Sequence, residues 1–231
     1  AKFGRRVLKK NKLAIPVIYP LFEPLTPASN NLEIEFEQGQ RVEEATRCWY
    51  ESNGHRAVYV ENALFTGLFG LVFWDIIFAP IKGVFFNPFQ RGPVDLFTSL
   101  FRVQREELIA ARLLAIEDGT VLSARAFETF DDKRYIANFL VNWQVIDRSL
   151  LQLALERIPA KHLLSVFERL LVDLRSNRSG LPDLIVFPDT GGYQLVEVKG
   201  PGDKLQANQI RWIRHFEQVK LPFEVVNVQW R

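Results

Sequence analysis

Two short apolar runs in the last third of the chain constrain its fold most. They are PDLIVF, beginning at Pro182, and YQLVEVKG, beginning at Tyr193, and the turn-forming PDTGG joins them. Runs of this length, rich in β-branched residues and bounded by Pro, Asp and Gly, specify a β-hairpin. Charge nevertheless stands at the strand ends: Asp183 opens the first run, and Glu197 and Lys199 close the second. Residues two apart on a strand share a face, so Glu197 and Lys199 stand side by side while Val196 and Val198 face the other way. In an antiparallel pair the start of one strand lies beside the end of the other, which brings Asp183 to the same place. A helical stripe precedes the hairpin; a helix over roughly 204–219 and a final strand, FEVVNVQW, follow it, giving the order α-β-β-α-β.

Upstream, the pattern is mostly helical. Residues 41–53 place Val42, Ala45, Cys48 and Trp49 on one helix face and stop at Asn53-Gly54. Cys48 thereby reads as a small buried residue. As the only cysteine it excludes an internal disulfide and suits a reducing compartment, cytoplasm or nucleus. The most apolar run, ENALFTGLFGLVFWDIIFAPI at 61–81, is long enough to span a membrane on hydropathy alone. Asp75 interrupts it, Pro80 ends it and no basic cluster adjoins it, so a core helix covered on both sides is expected. Turns follow at Asn87-Pro88 and Gly92-Pro93, and 103–117 and 124–177 read as mostly helical. The helix from Pro159 carries Leu163, Phe167, Leu170, Leu171 and Leu174 as one stripe.

With 231 residues, 48% of them hydrophobic and 24% charged, the chain suits an α/β fold with a mixed sheet and a substantial core. A net charge of +2 means that any nucleic-acid surface must be a local patch. Three scattered histidines exclude a Cys/His zinc site. Residues 13–40 read as irregular with one exposed strand in LEIEFEQ. The six basic residues within 1–12 read as a solvated tail, and prolines in the apolar stretch after them argue against a signal peptide. The absence of any methionine suggests a piece of a longer parent, or a processed or engineered sequence. The expected division is a basic extension over 1–40 from an upstream region, then one domain over 41–231. Its helical part is 41–155 and its α-β-β-α-β part 156–231.

The charged strand ends are a group that suits one kind of chemistry. Phosphodiester hydrolysis uses two carboxylates as hard oxygen ligands for one or two divalent cations. A lysine beside them orients or activates the attacking water and stabilises the charged transition state. The Val198 carbonyl, between the two side chains, is a further ligand candidate. A bare Glu-x-Lys also describes a surface ion pair. Pro-Asp, a Glu fourteen positions after that Asp, then Val-Lys-Gly-Pro and a helix with an inward glutamine is far more restrictive.

GLPDLIVF…YQLVEVKGPGDKLQANQ resembles the VRR-NUC branch of the PD-(D/E)XK nucleases, which have a restriction-endonuclease-like fold. VEEATRCWYESNGHRAVYVENALFTGLFGLVFWDIIF, NPFQRGPVDLFTSLF and REELIAARL are similar to the C-terminal region of the Fanconi-associated nuclease family. The resemblance covers roughly 41–231 and is weakest over 120–155. It implies that Asp183 and Glu197 are metal ligands, that Lys199 is the catalytic lysine, and that Glu61 completes the metal site. It also implies places near the active site for Gln90 and Gln209. Spacing alone leaves other readings open: Glu61 as a favourable first-turn residue, Gln209 as the partner of a buried group, Gln90 as a loop residue. Arg175, Arg178 and Lys204 flank the motif as candidate phosphate contacts, or as solvated caps. Trp212 and Trp230 read as core.

The implied activity is a Mg²⁺- or Mn²⁺-dependent, structure-selective DNA nuclease. It would cut 5′ flaps and act as a 5′ exonuclease on branched DNA in interstrand crosslink repair. The alternatives are a junction resolvase or restriction-type nuclease, and a DNA-binding fragment inactive by itself.

Overall fold

A computed structural model describes residues 29–35, 39–118 and 121–231. The basic run at 1–12 and most of the stretch expected to be irregular lie outside the described residues. Five strands form one mixed sheet: β1 Ser29–Ile34, β2 Arg56–Tyr59, β3 Leu184–Phe187, β4 Gln194–Lys199 and β5 Phe223–Trp230. Their order is β1-β5-β4-β3-β2. The hairpin pairs β3 antiparallel to β4, and β5 runs parallel to both β4 and β1. Strand β1 overlaps the exposed strand expected in LEIEFEQ at Leu32–Ile34, and because it pairs with β5 this part of the stretch read as an extension belongs to the sheet. Strand β2, only four residues long, was invisible to patterning and adds antiparallel to β3.

Helices flank the sheet on both faces. They are α1 Val42–Ser52, α2 Ala63–Val72, α3 Trp74–Ile77, α4 Leu100–Gln104, α5 Glu106–Glu117, α6 Leu122–Lys133, α7 Arg148–Arg157, α8 Ala160–Val172, α9 Leu174–Asn177 and α10 Ala207–Val219. Strand alternation divides the core in two. Leu184, Val186, Val196, Val198, Val226 and Val228 pack toward α1 and its Tyr50. Ile185, Phe187 and Leu195 face the larger helical layer of α2, α8 and α10. Glu197 and Lys199 share the Leu195 face, while Val196 and Val198 anchor the strand from behind, as the pattern predicts.

The apolar run is the buried helix α2, with every residue from Leu64 to Val72 buried. Phe73 interrupts it, and Asp75 turns outward to Arg112 (2.8 Å) and Arg125. Among the described residues no helix is long and apolar enough to cross a membrane.

Two expectations need correction. Cys48 is exposed, because the inward face of α1 is Ala45, Thr46 and Tyr50, and Cys48 falls on its flank beside Glu44 and Arg47. The helical reading of 124–177 breaks at 134–147. There Asn138 and Asn142 accept the backbone N–H groups of Leu140 and Gln144, and Asp147 caps α7 through Leu150. Such short side chains bond their own backbone and compete with helix formation. The irregular segment lies against α2 at Gly70, where an added Cβ would meet Val141 at 2.7 Å.

Candidate active site

The β3–β4 register pairs Leu184 with Val196, which carries Asp183 opposite Glu197 one step beyond. Asp183 joins three segments. Its carbonyl accepts the N–H groups of Val60 (2.8 Å) and Glu61 (2.9 Å), and its Oδ2 accepts the Val198 N–H (2.9 Å). The sheet thus closes around this residue at the point where β2, β3 and β4 meet.

Glu197 is 3% exposed and Lys199 9% exposed, and Lys199 Nζ stands 2.8 Å from Glu197 Oε1. Gln209 donates from Nε2 to the same Glu197 oxygen at 2.5 Å, while its Oε1 accepts the Gln206 N–H at 2.8 Å. One amide therefore caps α10 and touches the buried carboxylate, so Gln209 is the partner of a buried group. Gly180 permits this approach. Its φ is +85°, and an added Cβ would lie 2.7–2.8 Å from atoms of Asn208 and from the Gln209 backbone N.

Burial pushes the Glu197 carboxyl up to about 8, with the Asp183 charge adding to it and Lys199 opposing it. The Asp183 carboxyl is pushed up to about 6, again chiefly by burial. The Val198 N–H and Lys199 pull it down, and the charges of Glu43 and Glu61 push it up. Two acids so raised, with a main-chain carbonyl between Glu197 and Lys199, suit a hard divalent cation, whose charge favours both ionised forms. Bound there, such a cation would neutralise phosphate charge and lower the pKa of a water nucleophile. Lys199, held by Glu197, places an ammonium beside the two acids.

The remaining candidates fall into three groups. Glu61 is beside Asp183 through its backbone, in a left-handed conformation at φ 36°. Its carboxylate accepts from the Tyr59 hydroxyl (2.8 Å) and the Asn62 amide (3.2 Å). Among the described residues no three His, Cys, Asp or Glu side chains are gathered as a metal-binding group. Among the described residues the Gln90 amide bonds neither Asp183 nor Glu197. Its amide is spent on its own loop, accepting from Phe86 and Asn87 and donating to Val84 and Gly92 carbonyls. Arg175, Arg178 and Lys204 are exposed. Trp212 is core, 1% exposed, with its indole N–H on the Asn177 carbonyl, and Trp230 packs half-buried against the smaller core.

Sequence reasoning missed Glu43, in the first turn of α1, whose charge reaches Asp183. Beside Glu44 it looks like an ordinary acidic residue at a helix start, and no spacing distinguishes it.

A mixed sheet with Asp and Glu meeting at the end of a central hairpin, and a lysine one residue pair further on, is the PD-(D/E)XK arrangement. Residues 120–230 match the VRR-NUC domain, and the chain belongs to that class of nucleases, a type that points to divalent-metal dependence. Within the class it is homologous to the Fanconi-associated nucleases. It is 45% identical over 190 residues to the Fanconi-associated nuclease 1 homolog of Pseudomonas aeruginosa, covering 82% of this chain and 34% of that protein. It is 36% identical over 181 residues to Fanconi-associated nuclease 1 of Danio rerio, covering 75% of this chain and 18% of that protein. The crystal structure of paFAN1 bound to DNA with a 2-nt 5′ flap and a gap superposes with a TM-score of 0.85 at 39% identity. That match covers 98% of this chain and 41% of that one. A second paFAN1 structure, bound to DNA with a 1-nt 5′ flap and a gap, matches with the same TM-score at 38% identity. The chain thus spans about a third of the bacterial relative and under a fifth of the fish one.

Proposed function

We propose that this chain is the catalytic part of a structure-selective DNA nuclease that hydrolyses phosphodiester bonds with Mg²⁺ or Mn²⁺. It acts on 5′ flaps and as a 5′ exonuclease in interstrand crosslink repair, in the cytoplasm or nucleus. The observation that carries this reading is the meeting of Asp183, Glu197 and Lys199 at one end of the hairpin. The flap DNA bound by paFAN1 supports the substrate. Asp183, Glu197 and the Val198 carbonyl hold the metal, and Lys199 acts on the water or the transition state. Glu61 and Glu43 are the further carboxylates whose charge reaches Asp183, so Glu61 completes the site by turning from Tyr59. Gln209 positions Glu197, Gln90 holds the 84–92 loop, and Arg175, Arg178 and Lys204 contact phosphates. The nuclease domain includes β1 and so extends over 29–231 rather than starting at 41.

The test is incubation of the chain with labelled 5′-flap DNA and Mn²⁺, with EDTA as control. Asp183→Asn keeps an acceptor for the Val198 N–H, so it isolates the lost charge. The variant is expected to lose cleavage by at least ~10³-fold while still binding DNA. Undiminished products from Asp183→Asn, or from the wild type in EDTA, would refute the assignment. Four-way junction and linear duplex in parallel separate the flap enzyme from a resolvase or restriction-type nuclease.

A further inference from the structure

Beside the carboxylates, between β2, the start of α2 and the irregular 138–145 segment, lies a cavity of about 640 Å³. Glu61 and Asn62 form one wall, and Glu61 is bonded through its backbone N–H to the Asp183 carbonyl, so this wall adjoins the catalytic carboxylates. Arg91, Arg178 and Phe139 form another wall. The two arginines are fixed by stacking. Arg91 Cζ lies 4.9 Å from the Phe139 ring centroid, and Arg178 Cζ lies 4.5 Å from that of Phe97. The two rings meet edge to face at 5.7 Å. Stacking occupies one guanidinium face and leaves the N–H edges available.

Among the described residues neither guanidinium has an ion pair, and Glu61 is the only carboxylate on the cavity wall. A third donor is also waiting. Asn138 is 2% exposed, its Oδ1 accepts the Leu140 N–H, and its Nδ2 is buried without a partner. Buried amide hydrogens are ordinarily satisfied, so an unpartnered one on a residue that lines the cavity marks a place for an acceptor. Two pre-oriented forks and an amide, at the rim of a phosphodiester-cleaving site, call for anionic oxygen with a neutral acceptor beside it.

We propose that this cavity is a nucleotide subsite. It takes the DNA nucleotide next to the scissile bond, with that nucleotide's phosphate on Arg91 and Arg178 and an oxygen of its sugar or base on the Asn138 amide. The proposal rests on the nuclease reading and deepens it: these contacts set which bond is presented to Asp183, Glu197 and Lys199. Arg175 has another place, in a groove with Leu96, Val103 and Val172, and takes no part.

The experiment uses the full chain and 5′-flap DNA in which single linkages near the cleaved bond are replaced, one at a time, by uncharged methylphosphonates. In the wild type, one such replacement is expected to raise KM about tenfold. In Arg91→Ala/Arg178→Ala, KM on unmodified DNA is expected to be raised about tenfold or more, and that same replacement adds nothing further. Arg91→Lys/Arg178→Lys keeps the charges without the forks and should recover only part of the loss. A binding arm compares Asp183→Asn with and without the double alanine substitution. Its slope of log affinity against log salt should fall by about one unit. An unchanged KM in the double variant, or a methylphosphonate penalty retained in full, overturns the subsite. If the wild type cleaves no DNA, the hydrolase reading fails, and the binding slope alone decides for or against the subsite.

Discussion

Asp183 shows how much one residue can carry. Its carbonyl ties the end of β2 to the start of β3, and its side chain ties β3 to β4 through the Val198 N–H. Gln209 is the second such residue, capping α10 and donating to Glu197 at once. Gln209→Glu keeps an acceptor for the Gln206 N–H but removes the donor to Glu197. Gln209→Leu removes both. Cleavage should fall ~10- to 100-fold in either variant, as when a group that orients a ligand is lost. Measured near pH 4, where the introduced carboxyl is largely neutral beside Glu197, only Gln209→Leu should also lose ~1 kcal/mol of stability through the missing cap. Urea unfolding beside kcat/KM measurements separates the two effects, and equal stability of the two variants would contradict the double role.

At the scale of elements, the position of α10 decides the site. The helix begins at Ala207 because Gln206 and Gln209 cap it, and its Trp212 and Phe216 pack into the larger core. Gly180 sets how closely its first turn approaches the segment leading to Asp183. Gly180→Ala combines overpacking against backbone with a left-handed alanine, together roughly 2–4 kcal/mol. It should therefore lower both the urea midpoint and kcat/KM, the latter at least as much as Gln209→Leu does. A variant with normal activity would show that α10 can shift without disturbing Glu197. Strand β2 illustrates the opposite situation. Arg56–Tyr59 is too short to announce itself, yet it brings Tyr59 and Glu61 to Asp183 by pairing with β3.

For the molecule as a whole, the site is a stability cost that the fold absorbs. The Asp183 and Glu197 carboxyls are pushed up to about 6 and about 8. A carboxyl whose pKa is higher in the folded state favours folding below its unfolded pKa, near 4, and that contribution is lost as pH rises through the folded value. In EDTA these groups therefore work against folding progressively from about pH 4 to about pH 8. Asp183→Asn should match the wild type near pH 4 and exceed it at pH 8 by on the order of 2 kcal/mol. Added Mg²⁺ should raise the melting temperature of the wild type more than that of the variant. Thermal unfolding at pH 4, 6 and 8 checks this, and a variant less stable than the wild type at pH 8 would contradict the burial argument.

Local chemistry was legible in the chain alone. The hairpin, the shared face of Glu197 and Lys199, the arrival of Asp183 beside them and a buried helix within 61–81 all follow from period-2 and period-3.6 patterning with turn residues between. The resemblance extended that reading to Glu61, Gln90 and Gln209, but only the tertiary structure separated their positions. Gln209 reaches Glu197, Glu61 lies alongside through its backbone, and Gln90 is consumed by its own loop. Strand β2, the reach of Glu43, the exposure of Cys48 and the pairing of Arg91 with Arg178 across Phe97 and Phe139 belong to the fold alone. The physical reason is distance along the chain. Periodicity reports which face a residue occupies within its own element, whereas these features depend on which distant elements pack against that face, and that is settled by the core as a whole.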